Sequence, residues 1–447
     1  MPLLTYQYPE SHVFHRPLGR EMRSISRGSG ALLWDREGRR YIDGSGGAVV
    51  VNIGHGRSEV AAAMARQAEM AAYVHGTHFT SDVIEEYAGR LARHVPGDCN
   101  RLYLVSGGSE ANETAIKLAR AYHLATGGAS RHKVIRRSIS YHGNTLATLS
   151  LSGRPNLQRP YQPMLQIRPE APAPFCYHCP LDKTFPGCGI ACVDELDAVV
   201  RREGPETVAA FIAEPILGAS AGAAVPPDDY AKRAREICTR HGILYIDDEV
   251  MTGFGRTGRW FGIEWSEGVT PDIVTCGKGM TGGYMPVGAV LASERVVAAV
   301  ARGGGFTHGF TFSHNPVTAA AALATLDILE REELVERSRT LGATALEGLA
   351  RLTEHPHVGD VRGRGLMMAI EIVADKASRR PFPRSDKKAE AVAARAFDAG
   401  LVTYPGGGCA TGTDGDSIMI SPPFVVSEGE LQEIATILDS ALTDCGL

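Results

Sequence analysis

A series of short apolar runs, each followed by polar or glycine residues, restricts the fold of this 447-residue chain more than any other feature. Segments with helical periodicity separate the runs, and such alternation of strand and helix predicts a mostly parallel sheet. Ligands of these sheets bind outside the carboxyl ends of the strands, so the residues that follow the runs are the candidates for chemistry. The predicted strands are 101–105, 133–140, 208–213, 243–246 and 273–276.

Both ends of the chain carry shorter, mixed elements. Residues 31–34 and 40–43 flank a turn-forming segment and predict a hairpin. Near the other end, short strands are predicted at 401–404 and 417–420, with a helix before the first strand, a polar loop between the two and a final helix after the second. We therefore expect an α/β protein in which a large domain holds a mostly parallel sheet sandwiched by helices, beside a smaller α+β domain built from both termini. The predicted boundaries place 1–60 and 331–447 in the small domain and 61–330 in the large one.

The composition excludes several classes of function. With 44% hydrophobic and 22% charged residues, the chain is typical of a globular protein and not of a disordered one. Its formal net charge is -5 and its lysines and arginines are scattered, so nucleic acid is not an expected partner. No apolar run reaches membrane-spanning length, and the first thirty residues lack the apolar core of a signal peptide. We expect a soluble cytoplasmic protein without a membrane partner.

Four of the nine cysteines lie close together in the segment FCYHCPLDKTFPGCGIAC. The spacing of Cys176, Cys179, Cys188 and Cys192 is compatible with a tetrahedral zinc site on a loop. Free cysteines also pack as small hydrophobic residues, and prolines and glycines interrupt the segment. We predict no bound metal, and the purpose of the segment stays open.

A single lysine, Lys278, stands among apolar, small and glycine residues in the stretch PDIVTCGKGMTGGYMPVGAV. Desolvation in such surroundings favours the neutral amine, which is the form that attacks a carbonyl to make a Schiff base. The neighbouring glycines leave room for a flat group close to the backbone. The alternative is an ordinary solvated loop lysine.

The segment SGGSEANETAIKLARAY marks the junction between a predicted strand and a predicted helix. The backbone N–H groups of residues 106–109 and the hydroxyl of Ser109 can point at one anion there, and phosphate suits such a site. In the alternative interpretation, Ser106 or Ser109 simply caps the helix.

Aromatic and acidic residues follow the other predicted strands. Tyr141 and His142 come after one strand, where an aromatic ring can lie against a planar ligand. Glu214 and Asp248 come after two further strands, where a buried carboxylate needs a cation or a hydrogen-bond donor. The alternatives are a tyrosine that fills a loop and acids that cap the loops after their strands.

A phosphate-binding turn, a stacking ring, a buried acid and a desolvated lysine are together the parts that hold pyridoxal 5′-phosphate (PLP). In such a site the lysine forms a Schiff base with the cofactor and the acid keeps the pyridine nitrogen protonated. The turn fixes the phosphate, and the tyrosine covers one face of the ring. The combination therefore favours a catalytic Lys278 over a solvated one.

Taken together, the motifs of the sequence resemble those of the class III (ω-amino acid type) aminotransferases of the aspartate-aminotransferase fold. This fold is fold type I of the PLP enzymes. The resemblance covers almost the whole chain, and its motifs stand in the order and spacing of the family. The motifs are SGGSEANETAIKLAR, YHG, AEPILG, IDDEVMTGFGRTG, PDIVTCGKGMTGGYMPVGAV and HGFTFSHNPVTAAAALA.

The resemblance implies a role for each site residue. Lys278 is expected to carry the cofactor and to move protons, and Asp248 to pair with the pyridinium. Val250 is expected on the ring face away from Tyr141, and Thr311 is expected to reach the cofactor of the neighbouring subunit in a homodimer. The implied cofactor-binding residues are Gly108, Ser109, Tyr141, His142, Glu214, Asp248, Val250, Lys278 and Thr311.

The implied activity is transamination from an amine donor to a keto acid acceptor through a PLP/pyridoxamine phosphate ping-pong cycle. Met419 stands where ornithine-type members carry a carboxylate-binding arginine, three residues before Pro422. Gly412 lies near the place of the flexible arginine of ω-amine:pyruvate members, and Met251 replaces a common glutamine. These departures predict an ω-amine or ω-amino acid donor, with pyruvate as acceptor.

Two alternatives accompany this prediction. A decarboxylase or aminomutase of the same fold would use the same cofactor, because the fate of the substrate depends on which bond stands perpendicular to the ring. A binding protein that kept the fold without catalysis would have lost Lys278 or Asp248, and both are present.

Overall fold

The computed structural model describes residues 4–447, in which strands and helices alternate along most of the chain. No helix in this range is long and apolar enough to cross a membrane. The strands are β1 (Thr5–Tyr6), β2 (Met22–Arg23), β3 (Ile25–Ser29), β4 (Leu32–Asp35), β5 (Arg40–Asp43), β6 (Arg101–Val105), β7 (Lys133–Arg137), β8 (Glu170–Ala171), β9 (Val208–Ala213), β10 (Leu244–Asp248), β11 (Ile273–Gly277), β12 (Gly288–Ala292), β13 (Val358–Arg364), β14 (Met367–Asp375), β15 (Arg380–Pro381), β16 (Leu401–Val402), β17 (Tyr404–Gly407) and β18 (Asp416–Ile420). The helices are α1 (Gly46–Val49), α2 (Ser58–Ala71), α3 (Asp82–Leu91), α4 (Gly108–Ala125), α5 (Leu146–Ser150), α6 (Pro155–Gln158), α7 (Ala191–Glu203), α8 (Tyr230–His241), α9 (Glu294–Arg302), α10 (Pro316–Arg331), α11 (Leu334–Ala350), α12 (Lys388–Asp398) and α13 (Glu428–Asp444).

Within the described residues, seven strands form the central sheet in the order β6-β12-β11-β10-β9-β7-β8. Strand β12 runs antiparallel to both of its neighbours. The strands from β11 to β8 along this order are parallel to one another. The predicted α/β fold with a mostly parallel sheet is therefore confirmed.

Side chains of the central strands alternate between two apolar layers, as the pleat of a strand requires. Ala210 and Ile212 of β9 pack in the layer that holds α4 and α9. Phe211 of β9 lies in the other layer and stacks on Tyr245 of β10, with ring centroids 5.8 Å apart. Burial on both faces fixes the register, because a slip by one residue would exchange the two layers.

Two smaller sheets bring the ends of the chain together. One has the order β13-β14-β18-β17 with β15 beside β14, and the other has the order β16-β5-β4-β3. Leu401 of β16 pairs in parallel with Ile42 of β5, so a strand from near the C terminus completes a sheet from the N-terminal segment. This pairing supports a small domain built from both ends, while the boundaries after residues 60 and 330 stay a prediction.

Two predicted strands differ from the structure. The single strand predicted at 401–404 is wrong, because the chain leaves β5 at Val402 and pairs with β18 from Tyr404, where Tyr404 lies opposite Met419. The strand predicted at 133–140 ends at Arg137. The Ser140 hydroxyl donates to the Arg137 carbonyl at 3.0 Å, and such a local bond competes with the strand ladder.

The buried guanidinium of Arg256 connects segments from both ends of the chain to the large sheet. Arg256 is 2% exposed, so each of its donors needs a partner inside the protein. All four of its hydrogen bonds go to backbone carbonyls from outside its own segment. The acceptors are Leu366 (3.0 Å), Ser421 (3.1 Å) and Pro422 (2.7 Å) for Nη1 and Val51 (2.9 Å) for Nη2.

We expect Arg256→Met to lower the free energy of unfolding by about 3 kcal/mol, because the buried carbonyls lose their donors. Urea denaturation monitored by circular dichroism measures this. The control is Arg339→Met, an exposed arginine on α11 paired with Glu336, which should change stability by less than about 0.5 kcal/mol. Equal effects of the two substitutions would contradict the linking role of Arg256.

A second buried group, at the end of β10, is the carboxyl pair of Asp247 and Glu249. Both residues are 0% exposed. Burial and the charge of Glu249 raise the pKa of Asp247 well above its ordinary value. Burial raises the pKa of Glu249 to about 7, although donors that include the Ile263 amide at 2.8 Å oppose the shift. The fold therefore retains protons on this pair that an unfolded chain would release.

The pair makes stability depend on pH. Because the folded pKa values exceed the unfolded ones of about 4, the contribution is present at acid pH and is lost as pH rises through about 7. The quantity to compare is the difference in free energy of unfolding between Asp247→Asn and wild type. We expect this difference to shift by about 1–2 kcal/mol in favour of the variant as pH rises from 5 to 8. Thermal unfolding across this range measures it. Asp444→Asn on the exposed end of α13 is the control, and parallel pH profiles for all three proteins would refute the assignment.

Candidate active site

The carboxyl ends of the central strands open into a cavity of about 460 Å³. Its walls come from the turns after β6, β7, β9, β10 and β11, as expected for a parallel sheet. Of the predicted cofactor-binding residues, all but Thr311 line this cavity. The lining residues are Val50, Ser106, Gly108, Ser109, Asn112, Tyr141, His142, Gly143, Glu214, Ile216, Ala219, Asp248, Val250, Met251, Thr252, Lys278, Gly283, Met285, Pro286 and Val287.

Asp248, the last residue of β10, is 3% exposed and is held by donors from three segments. Its Oδ2 accepts from Asn112 Nδ2 at 2.8 Å and lies 2.7 Å from His142 Nδ1. Its Oδ1 accepts from the Val250 amide at 3.1 Å. Since a carboxylate oxygen accepts two hydrogen bonds, Oδ1 can still receive a proton donor from the cavity.

The tautomer of His142 follows from this contact. An ionised carboxylate only accepts hydrogen bonds, so His142 carries its proton on Nδ1 and donates to Asp248. Its Nε2 is buried and has no hydrogen-bond partner among residues 4–447. The His142 carbonyl in turn accepts from Asn112 Nδ2 at 2.8 Å, so the imidazole and the carboxylate are fixed relative to each other.

Asn112 is a site residue that the sequence reasoning missed. It lies near the start of α4, one helical turn after Ser109. Its Oδ1 accepts from Thr275 Oγ1 at 2.8 Å. A signal was present in the sequence, because Asn112 is three residues after Ser109 and shares its face of the helix. An asparagine in a helix interior is also unfavourable unless its amide has a partner.

Lys278 follows β11 directly and lines the cavity. Its φ of 43° lies in the left-handed region, which is costly for a residue with a side chain and is found most often at functional sites. Burial lowers the pKa of Lys278 to about 8, while Asp248 and Glu214 oppose this shift. A substantial fraction of the amine is therefore neutral near pH 8.

The start of α4 forms another wall. Its N-cap is Gly107, and no side chain caps this end, so the interpretation of Ser106 or Ser109 as a capping residue is wrong. The Ser109 hydroxyl instead accepts from the Asn144 amide at 3.0 Å. A Cβ on Gly108 would lie 2.7 Å from Val250 Cγ1, so only glycine lets the helix end approach the wall formed by Val250.

Tyr141 and Glu214 form a connected part of the wall. Glu214 Oε2 accepts from the Tyr141 amide at 3.3 Å, and Oε1 accepts from the Gly218 amide at 3.1 Å. Burial raises the pKa of Glu214, and the charge of Arg137 opposes this shift. The carboxyl group thereby holds two cavity segments together.

Thr311 is exposed and lies outside the cavity. Its carbonyl accepts from the Tyr73 hydroxyl at 3.0 Å. Thr311 therefore does not line the cavity of its own subunit. Its expected contact with the cofactor of a neighbouring subunit stays a prediction.

The remaining side of the cavity is apolar. Met419 is 0% exposed and packs in a cluster with Ile216 and Ala219, which line the cavity. Met251 packs against the same cluster. No arginine occurs among the lining residues of the described chain, in agreement with the departures noted in the sequence.

The cysteine-rich segment lies away from this cavity. Its thiols are free, with Cys176 exposed and Cys192 partly buried. His178 contacts the buried Glu371 through Nε2, so this imidazole is already paired. No group of three or more histidine, cysteine or acidic residues is placed to hold a metal ion within residues 4–447.

These residues fit PLP. The uncapped start of α4 offers N–H groups to a phosphate, and Oδ1 of Asp248 retains capacity for the pyridinium proton. The amine of Lys278 is desolvated beside both groups. Tyr141 and Val250 both line the cavity and give it an aromatic and an aliphatic wall.

Comparison with known proteins agrees with this geometry. Residues 15–442 match the family model of the class III aminotransferases. A putrescine–pyruvate aminotransferase of Pseudomonas aeruginosa is 35% identical over 427 residues, covering 94% of this chain and 90% of the relative. The structure of an (S)-enantioselective ω-transaminase from Thermomicrobium roseum is 41% identical, with a TM-score of 0.88 and coverage of 94% and 92%. An amine transaminase from an uncultivated Pseudomonas species, solved with PLP bound, is 36% identical with a TM-score of 0.89 and coverage of 99% and 98%. The chain therefore belongs to the class III aminotransferases, a family of PLP-dependent enzymes that use amine and keto acid substrates.

Proposed function

We propose that this aminotransferase moves an amino group from an ω-amine or ω-amino acid to a keto acid such as pyruvate, in a ping-pong cycle. The observation that carries the proposal is the apolar, arginine-free lining around Ile216, Ala219 and Met251, backed by the buried Met419. Such a wall accepts the carbon chain of an amine and gives no partner to a second carboxylate.

In this proposal Lys278 holds the cofactor covalently through Nζ and then acts as the general base. When bound, PLP supplies the reactive carbonyl carbon and an electron-accepting ring. Nζ takes a proton from the donor carbon in the first half-reaction and returns one to the acceptor carbon in the second. Its pKa of about 8 suits both directions, since a base is most effective near the working pH.

Asp248 and its partners maintain the charge that the ring needs. The buried carboxylate would accept the proton of the ring nitrogen in a hydrogen bond, and the donors Asn112, His142 and the Val250 amide fix its position. Tyr141 and Val250 would enclose the ring between them.

Phosphate binding would use the start of α4. The N–H groups near Gly108 and the hydroxyl of Ser109 face the cavity at the positive end of an 18-residue helix. Thr311, exposed in one subunit, would reach the phosphate of a second subunit, so the homodimer is part of the proposed site. The cytoplasmic location stays a prediction.

Two relatives support the choice of substrates. The Pseudomonas aeruginosa relative is named for putrescine and pyruvate, and the Thermomicrobium roseum relative for ω-transamination. The apolar wall around Met419 is consistent with an ω-amine donor.

Lys278→Ala should remove the covalent link to PLP and lower kcat by at least about a thousandfold, since the general base is lost. Borohydride reduction followed by peptide mass mapping should locate the cofactor on residue 278 of the wild type and nowhere on the variant. Lys232→Ala, an exposed lysine on α8, is the control and should keep full activity. Cofactor attached to another lysine in the wild type would end the proposal.

A matched pair of donors tests the substrate class. Putrescine and ornithine differ only in the carboxylate, for which the wall around Met419 offers no cation. With pyruvate as acceptor, kcat/KM should favour putrescine by at least about tenfold, because the carboxylate would be buried without a partner. Coupled detection of alanine measures both rates under the same conditions. Faster turnover of ornithine would contradict the proposed donor class.

A further inference from the structure

A keto acid acceptor carries a carboxylate that the cavity lining does not explain. Lys278 is the cation that lines the cavity in the described chain, and it is occupied by the cofactor and by proton transfer in the proposed function. The acceptor carboxylate therefore needs a cation from beside the lining, and arginine binds carboxylates best because its fork donates two parallel hydrogen bonds.

The buried arginines near the cavity are already committed. Arg256 spends its donors on the backbone carbonyls described above. Arg137 donates to the Glu214 carbonyl at 2.7 Å and lies 3.8 Å from the Glu214 carboxylate. Releasing either of them for a substrate would leave buried acceptors without partners.

Arg154 differs from these arginines. Its guanidinium carbon lies 6.0 Å from the ring centroid of Tyr141, which lines the cavity. The guanidinium makes one hydrogen bond among the described residues, from Nη2 to the Gly407 carbonyl at 3.3 Å. It makes no ion pair within residues 4–447 and is only partly buried. The cation is therefore available without breaking a strong interaction.

The backbone around Arg154 is fixed relative to Tyr141. The Gly153 amide donates to the Ser140 carbonyl at 2.9 Å and contacts the Ser140 hydroxyl at 3.1 Å. A Cβ on Gly153 would lie 2.1 Å from the Ser138 carbonyl oxygen, so this close approach requires glycine. The contacts between Gly153 and Ser140 thus fix the backbone next to Arg154 and place its guanidinium beside Tyr141. The long side chain itself can still change rotamer.

We infer that Arg154 recognises the carboxylate of the keto acid acceptor. This inference rests on the proposed function and makes Arg154 the residue that gives the second half-reaction its preference for keto acids. Burial raises the pKa of the Tyr141 phenol, and the charges of Arg154 and of the exposed Arg16 oppose this shift. Arg16 lies on the N-terminal segment and is the competing candidate.

The test compares two acceptors that share the keto group, of which one carries a carboxylate and the other its uncharged methyl ester. Enzyme converted to its amino form with an amine is mixed with pyruvate or with methyl pyruvate, and the rate of the second half-reaction is measured by absorbance. Arg154→Leu should lower kcat/KM for pyruvate by about 100-fold, because charge-assisted bidentate binding is lost. For methyl pyruvate, kcat/KM should change by less than about threefold. Arg154→Lys keeps the positive charge but loses the two parallel donors of the guanidinium. Its kcat/KM for pyruvate should lie between the values for Arg154→Leu and wild type.

Binding is measured separately with propionate, a carboxylate that cannot react. Its inhibition constant against the amine half-reaction should rise about 100-fold in Arg154→Leu. Arg159→Leu, an exposed arginine in the same segment, is the control and should match wild type in every assay.

The outcomes separate this inference from the proposed function. A wild type that accepts no amino group from any ω-amine contradicts the proposed function. A wild type that transaminates while Arg154→Leu keeps its preference for pyruvate and its affinity for propionate overturns the inference alone. A selective loss in Arg16→Leu in place of Arg154→Leu also overturns it, as does an equal loss for pyruvate and methyl pyruvate.

Discussion

The site depends on one buried carboxylate, Asp248, at the end of a central strand. A buried carboxylate is costly unless hydrogen-bond donors satisfy its oxygens. Donors from α4, from the turn after β7 and from the backbone after β10 meet this need. Asn112, His142 and the Val250 amide therefore fix three cavity walls to one charge. The geometry of the cavity follows from satisfying that charge.

The lysine and the carboxylate impose opposite demands on the same small volume. Burial lowers the pKa of Lys278 to about 8, and Asp248 and Glu214 limit the fall. A dry site without acids would leave the amine neutral but unable to hold a proton, whereas a wet site would keep it charged. The left-handed backbone at Lys278 is held by the strand before it and by the packed glycine-rich turn after it.

The sequence predicts the residues that follow strands well, because parallel strands end at one edge and collect their next residues there. Lys278, Asp248 and Glu214 were found in this way. Asn112 was missed because it reaches the site from inside a helix. The alternative of a serine cap on α4 stayed open in the sequence because Ser109 bonds to a turn distant in sequence. The split of 401–404 also depends on two sheets whose pairing no local pattern contains.

One cavity must accept an uncharged carbon chain and a charged keto acid in turn. A cation buried within the apolar wall around Met419 would be left without a partner whenever the amine is bound, at a cost of several kcal/mol. A partly buried arginine beside that cavity avoids this cost, because solvent and the Gly407 carbonyl satisfy Arg154 between turnovers. The carboxylate of the keto acid then takes the place of the weak 3.3 Å hydrogen bond to Gly407 and of the solvent around the exposed N–H donors of Arg154. Alternating use of the site therefore favours a rim cation over one built into the wall.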